Sequence, residues 1–378
     1  MGRTHRPPGV PGLSIALAAA SLVQGATPAS GQDFVTIESD AACASCGLSL
    51  THMVTLGSLD DPSVGFTKSV AIESSGRILV LGHEVTPHEL MVFDPEGAFV
   101  RVIGRDGEGP GEFSFVMTGA LTTGDSLHLF DDDLLRETVL TPTFDVARTL
   151  RLPVRVRETV FLDDGRIVVQ SSMATPDLVG HPLHLLDRER NIVKSFGSAD
   201  QVIRPDMSIY RLRRIEKADE SSVWSAFVNQ YVIENWSIDG VRLAALKRDV
   251  PWFEPWHYNK GLSLSEPPDV TLEAIRQDDE GRLWILIRVP GEDWKNGLAE
   301  VDTPEGRFVG TRDWDLAYDT VVEIIDPRLG VLVHSERVEP SLVGFASMGQ
   351  AIGYREGPDG VPYIDLWQLE LVEVPSSP

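Results

Sequence analysis

One pattern recurs along the chain and limits its fold more than any other property. A short apolar run leads into an acidic or glycine turn, and a second apolar run follows. It is seen in VAIESSGRILVLG, GALTTGDSLHLF, TVFLDDGRIVVQ, RIEKADESSVWSAF, AIRQDDEGRLWILI and VEIIDPRLGVLVHS. The turns are anchored at Gly76, Gly124, Gly165, Ser222, Gly281 and Gly330, a mean step of about 51 residues. Asp, Gly and Ser supply positive φ or side-chain-to-backbone bonds at such points, so each unit reads as a hairpin. A second turn follows each first one after 18 to 30 residues, as in LMVFDPEGAFVRVIG, HLLDRERNIVKSFG and AEVDTPEGRFVG. Two hairpins make four strands per repeat, and no amphipathic segment of helix length stands out. The pattern predicts an all-β chain: a six-bladed β-propeller of four-stranded antiparallel blades. A sandwich also has many short strands, but it would not copy one two-turn unit six times.

The two ends read as complementary. The last repeat finishes on a third strand, YIDLWQLELVE, followed by VPSSP. Near the other end LSLTHMVTLGS, residues 48–58, matches the fourth-strand pattern AFVRVIGRD but has no strands of its own ahead of it. A ring of sheets leaves open edges where it begins and ends, so the N-terminal strand is expected to complete the last blade. The expected division is a leader at 1–31, a segment with a C-x-x-C pair at 32–47, and a single propeller domain at 48–378. The last repeat is expected to carry a long insertion, residues 336–362, and a degenerate hairpin hidden there would raise the count to seven blades.

Within FVRVIGRDGEGPGEF, residues 99–113, a fourth strand runs into a glycine loop that ends Gly-Glu-Phe. Here the chain resembles the NHL-repeat and related six-bladed propeller proteins. FDDDLLRETVLTPTFD, residues 130–145, is a looser match to their Asp, Arg and Phe-Asp pattern. The resemblance implies the propeller fold and an extracytoplasmic bacterial setting. It does not assign a function, because such proteins bind varied partners or are enzymes.

The start of the chain fits export. Arg3 and Arg6 precede the apolar run LSIALAAASLV, and small residues follow in GATPASGQ. This is the layout of a signal peptide, with cleavage expected after Gly31 or, alternatively, Gly25. A lipid anchor at Cys43 is less expected, since that residue lies about twenty positions past the apolar run. No other stretch approaches the length of a transmembrane helix. The chain carries 57 acidic and 33 basic side chains, a net charge of −24. Such a surface argues against nucleic acid and anionic membrane surfaces as partners.

Four groups of residues are candidates for chemistry. Asp106, Glu108 and Glu112 are hard oxygen donors in one glycine-rich loop and would suit Ca²⁺; the alternative is a plain blade-to-blade connection. Cys43 and Cys46 form C-x-x-C without the His of a haem site, and a local disulfide is their expected state. Trp252, Trp256, His257 and Tyr258 crowd one loop and could stack on a sugar or peptide, or simply fill space between blades. Glu73, Glu158, Arg213, Arg214, Glu273, Arg276 and Glu323 fall on or beside expected first strands, which line a propeller's channel. His83, Arg136 and His334 fall near strand ends. Arg136, Arg213 and Arg276 are the ligand-binding candidates in this group.

The expected function is a secreted or periplasmic binding or interaction module. Its ligand, a protein, peptide or carbohydrate, would sit at the channel mouth or on the aromatic loop. No cofactor is expected beyond the Ca²⁺ option, and no catalytic signature is present, so an enzyme is the less expected reading. The competing readings are a metal-dependent hydrolase or lyase of the lactonase type with an axial metal, and a scaffold in an envelope assembly.

Overall fold

The computed structural model describes residues 34–81, 86–171, 181–197, 212–256, 260–303, 306–357 and 360–374. The chain enters through β1 (Val35–Thr36) and β2 (Cys46–Leu56), then lays down sheets in sequence. Blade one is β3 (Ser69–Ile72), β4 (Ile78–Leu81), β5 (Leu90–Phe93) and β6 (Phe99–Ile103). Blade two is β7 (Val116–Thr122), β8 (Ser126–Asp131), β9 (Arg136–Leu140) and β10 (Val146–Arg151). Blade three is β11 (Glu158–Phe161), β12 (Ile167–Gln170), β13 (Leu183–Leu186) and β14 (Ile192–Phe196). Blade four is β15 (Arg213–Asp219), β16 (Ser222–Phe227), β17 (Val232–Ser237) and β18 (Arg242–Lys247).

Blade five is interrupted. After β19 (Thr271–Gln277) and β20 (Leu283–Pro290) the chain makes a separate hairpin, β21 (Leu298–Thr303) and β22 (Gly306–Thr311), and one turn of helix, α1 (Trp314–Ala317). It then returns as β23 (Tyr318–Asp326) and β24 (Val331–Val338) to finish the sheet. Blade six is β25 (Leu342–Ser347), β26 (Gln350–Glu356), β27 (Pro362–Glu373) and, as its fourth strand, β2. The first strands touch in the order β3, β7, β11, β15, β19, β25 and back to β3, which closes the ring.

The physical cause of this arrangement is the apolar character of the middle strands. β4, β5, β12 and β13 are buried at every position. Side chains alternate between faces, so both faces of these blades are covered by neighbours. The outer strand β10 is by contrast exposed at nearly every residue. Among the described residues, six apolar cores each lie between two adjacent blades, and a seventh, of Leu298, Ala317 and Tyr318, lies where the blade-five insertion meets β23. The core that joins blade six to blade one contains Leu56, Val70, Ile78, Phe93, Val343, Ile352 and Ile364. A buried polar clamp joins blades two and three. Glu137 of β9 accepts hydrogen bonds from Arg190, one at 2.9 Å, and lies 2.6 Å from His128 Nδ1. Burial alone would raise the Glu137 carboxyl, but Arg190 and His128 hold it down to about 2.

The expected closure holds: β2 pairs antiparallel with β27 from Cys46 opposite Glu373 to Leu56 opposite Ile364. Two details of the repeat register need correction. Gly330 is the turn between the third and fourth strands of blade five, and the matching first turn of blade six is at Gly349. Residues 336–362 are therefore no insertion; they hold β25 and β26. The insertion lies at 291–317. Its two strands flank the sequence TPEGRF, whose residue types are those of a blade turn. The hairpin within 336–362 is thus the first one of blade six and adds no seventh blade, and VEIIDPRLGVLVHS completes blade five, so the count is six. Glu323 accordingly belongs to a third strand, not a first one.

Ahead of β2 the chain runs along the outer rim. β1 pairs parallel with β18 of blade four. Arg248 donates to the Glu38 carbonyl, and the amides of Ala42 and Cys43 donate to Leu332 and Val333 of blade five. Cys43 and Cys46 are joined by a disulfide, with Cα atoms 5.4 Å apart, where this strap meets blade six. So small a loop restricts the unfolded chain by about 2 kcal/mol. Cys43→Ser with Cys46→Ser is expected to lower stability by about that amount, read as a drop in thermal midpoint that reductant reproduces in the parent. An unchanged midpoint in both would show that the bridge contributes nothing.

Candidate ligand site in the axial cavity

All six first strands face a common axis and enclose a cavity of about 960 Å³. Small residues keep it open, among them Gly119, Ala120, Ala274, Gly344 and Ala346. At Gly119 the backbone approach is tight, since a Cβ there would meet Leu81 at 2.7 Å and the His128 carbonyl at 3.0 Å. Its amide lies 3.3 Å from Ser69 Oγ, which ties blade two to blade one at the axis.

The cavity has a charged middle. Glu273 of β19 is fully buried and faces three cations: Lys68, Arg288 at 3.1 Å and Arg214 at 3.5 Å. Burial alone would raise its carboxyl, but Arg288, Lys68 and Arg214 together hold it down to about 2. The Lys68 amine is brought down to about 8, by burial first and then by Arg214 and Arg288, against the pull of Glu273. Arg214 also donates to Glu158 at 2.8 Å, and the second oxygen of Glu158 accepts from the Ile215 amide at 2.8 Å. Arg157 donates to the thioether sulfur of Met117 at 3.2 Å and lies 3.3 Å from Asp132. Toward the other ends of the strands, Arg276 lies 3.5 Å from Glu216 and donates to the Phe345 carbonyl at 3.4 Å. Burial raises the Glu216 carboxyl, with Arg276 opposing.

Apolar groups share the same walls. Phe66, Phe115, Met117, Leu121 and Phe345 line the cavity. Phe66 stacks on Trp314 of α1, with ring centres 5.2 Å apart, and Arg288 lies over the Tyr318 and Trp314 rings. The blade-five insertion is thus packed onto residues of the site.

Of the candidates on first strands, the structure brings Glu158, Arg214, Glu273 and Arg276 together in the cavity. Arg213 faces away; it is buried over the Phe227 ring, and burial brings it down to about 9. Glu73 pairs with Arg77 just beyond β3, and His334 lies 3.0 Å from Glu336 on β24. Arg136 donates to the Glu108 and Glu112 carbonyls and pins the glycine loop. In that loop Glu112 accepts from Arg105 and from the Gly109 amide, which hold its carboxyl below the usual range. Asp106 forms a backbone bridge with Phe113. Among the described residues, no three or more His, Cys, Asp or Glu gather as a metal site. On the aromatic loop Phe253 and Trp256 are buried, and the Trp256 indole donates to the Val270 carbonyl at 2.7 Å. Trp252 remains 37% exposed beside Tyr231. His83, His257 and Tyr258 lie outside the described residues.

Sequence reasoning missed Lys68, Arg157 and Arg288. The first two stand immediately ahead of β3 and β11, where the chain turns into the axis. That position, one residue before a first strand, is the signal that would have found them.

The comparisons agree with this geometry. A family model described as a 6-bladed beta-propeller, DUF5128, matches residues 44–166. The chain is a six-bladed β-propeller. A protein from Bacteroides fragilis NCTC 9343, provisionally described as exported, is 12% identical over 90% of this chain and 100% of its own, with a TM-score of 0.57. A member of the DUF4221 family from Bacteroides vulgatus is 9% identical over 86% of this chain and 99% of its own, with a TM-score of 0.59. These likenesses show the fold. No curated protein matches the chain. Among the described residues no helix is long and apolar enough to cross a membrane.

Proposed function

We propose that this propeller is a secreted or periplasmic binding module that takes a small ligand in its axial cavity. The observation that carries the reading is a cavity of about 960 Å³ bounded by all six first strands and lined by both apolar and charged side chains. Ligand sites in proteins are typically about 300–1,000 Å³, mostly apolar, with a few placed polar groups for orientation. The leader-like start of the chain supports export. The aromatic loop is the alternative location, with Trp252 as its exposed ring.

The test is a thermal-shift screen of small polar and amphipathic molecules on the parent protein, followed by two variants. Met117→Trp adds bulk inside the cavity, and Trp252→Ala removes the exposed ring. A ligand present at about 100 times its Kd should add about 2.7 kcal/mol of stability. The shift is expected to vanish in Met117→Trp and to persist in Trp252→Ala. The reverse pattern would move the site to the aromatic loop.

A further inference from the structure

We infer that the axial cavity takes a singly charged organic anion, a carboxylate or sulfonate on an apolar body. This rests on the reading of the cavity as the ligand site. The lining contains four cations, Lys68, Arg157, Arg214 and Arg276, against three carboxylates, Glu158, Glu216 and Glu273. In a chain of net charge −24 a cationic excess at the axis is a local property, not a reflection of composition.

The hydrogen-bond inventory sharpens the point. Two of the carboxylates already face donors, although Glu273 Oε1 makes no hydrogen bond. Glu273 faces three cations, and Glu158 accepts from Arg214 and a backbone amide. The donors are not used up. Arg157 has a thioether as its hydrogen-bond acceptor and a carboxylate at 3.3 Å, and its side chain is 30% exposed. A guanidinium carries five donors and no acceptor, so Arg157 keeps donor capacity beyond these contacts. The complementary group is an anion, which a guanidinium can hold through two parallel charge-assisted bonds. Glu158 and Glu273 remain close by and would repel a second negative charge, which favours a monoanion over a phosphate dianion. The Phe66, Phe115 and Phe345 rings supply the apolar contact for the body of the molecule.

The experiment compares dyes that share an aromatic frame. Anilinonaphthalene sulfonate carries one negative charge, phenylnaphthylamine carries none, and naphthyl phosphate carries up to two. Each is titrated by fluorescence into the parent, Arg157→Gln, Arg157→Lys and Met117→Trp. The sulfonate is expected to bind the parent about tenfold more tightly than the neutral dye, the scale of one charge-assisted hydrogen bond. Arg157→Gln should remove that advantage while leaving the neutral dye unchanged, and Arg157→Lys should keep part of it. Met117→Trp should weaken all the dyes. Equal binding of sulfonate and neutral dye, both lost in Met117→Trp, overturns the anion class and leaves the cavity as the ligand site. Tightest binding of the phosphate overturns the preference for a monoanion. Dye binding untouched by Met117→Trp, or no binding at all, overturns the cavity reading itself.

Discussion

Glu273→Ala is expected to cost about 3–5 kcal/mol of stability, the typical penalty for removing one partner from a buried ion cluster. The carboxylate is fully buried and is the shared counter-ion of Lys68, Arg214 and Arg288. Its removal leaves cationic charge uncompensated at the axis. Glu273→Gln keeps the shape but not the charge and should also destabilise. Adding Lys68→Met to Glu273→Ala should return part of the loss, because one stranded cation is removed with its partner. Chemical denaturation of these three variants and of Lys68→Met alone measures this, and full additivity of Glu273→Ala and Lys68→Met would contradict a shared network. The same cluster sets a pH dependence. Glu273 is held at about 2, below its usual 4.5, so its contribution is complete above about pH 4.5 and lost as pH falls through about 2. Lys68 contributes with the same sign in a higher window, because its charged form is the disfavoured one in the fold. Its amine titrates at about 8 in the folded protein, against 10.5 ordinarily, so between those values the unfolded chain binds more protons and this group favours folding as pH rises.

Removal of residues 34–56 is expected to abolish a soluble, cooperatively unfolding domain. Strand β27 is twelve residues long and pairs with β2 along most of that length. Without β2 it becomes a long open edge, a template for pairing with another chain. The same deletion removes Leu56 from the core that joins the last blade to the first. A milder version is Leu56→Ala, which should cost about 2–5 kcal/mol for a fully buried leucine. A synthetic peptide covering residues 44–58, supplied during refolding of the truncated chain, should restore cooperative unfolding in a saturable way. A truncated chain that unfolds at the parent's midpoint would show that ring closure does not depend on this strand.

The architecture was legible because turn chemistry is local. Asp, Gly and Ser at residues such as Gly76 and Gly165 specify hairpins without help from distant parts of the chain. The same locality explains the misplaced register in blade five. The sequence between β21 and β22 has the residue types of any blade turn, and only burial separates this pair: β22 is exposed through its first three residues, whereas β20 is buried through its first five. Apolar density on second and third strands marks a blade better than the turn does. At the site, placing residues on first strands found Glu158, Arg214, Glu273 and Arg276. It could not say which of Arg213 and Arg214 turns toward the axis, since neighbours on a strand point to opposite faces. Lys68 and Arg157 escaped because only the first strands were weighed and not the residue just ahead of each, and Arg288 escaped because it stands on β20, a second strand, and reaches Glu273 from there.

The most direct measurement is a crystal of the parent protein soaked with a bromine-substituted naphthalene sulfonate and examined for anomalous scattering. The expected result is a bromine peak inside the axial cavity, with the sulfonate against Arg157 and Arg214. A peak confined to Trp252 or to the outer faces of the blades, with the cavity unoccupied, would contradict the assignment of the axis as the ligand site.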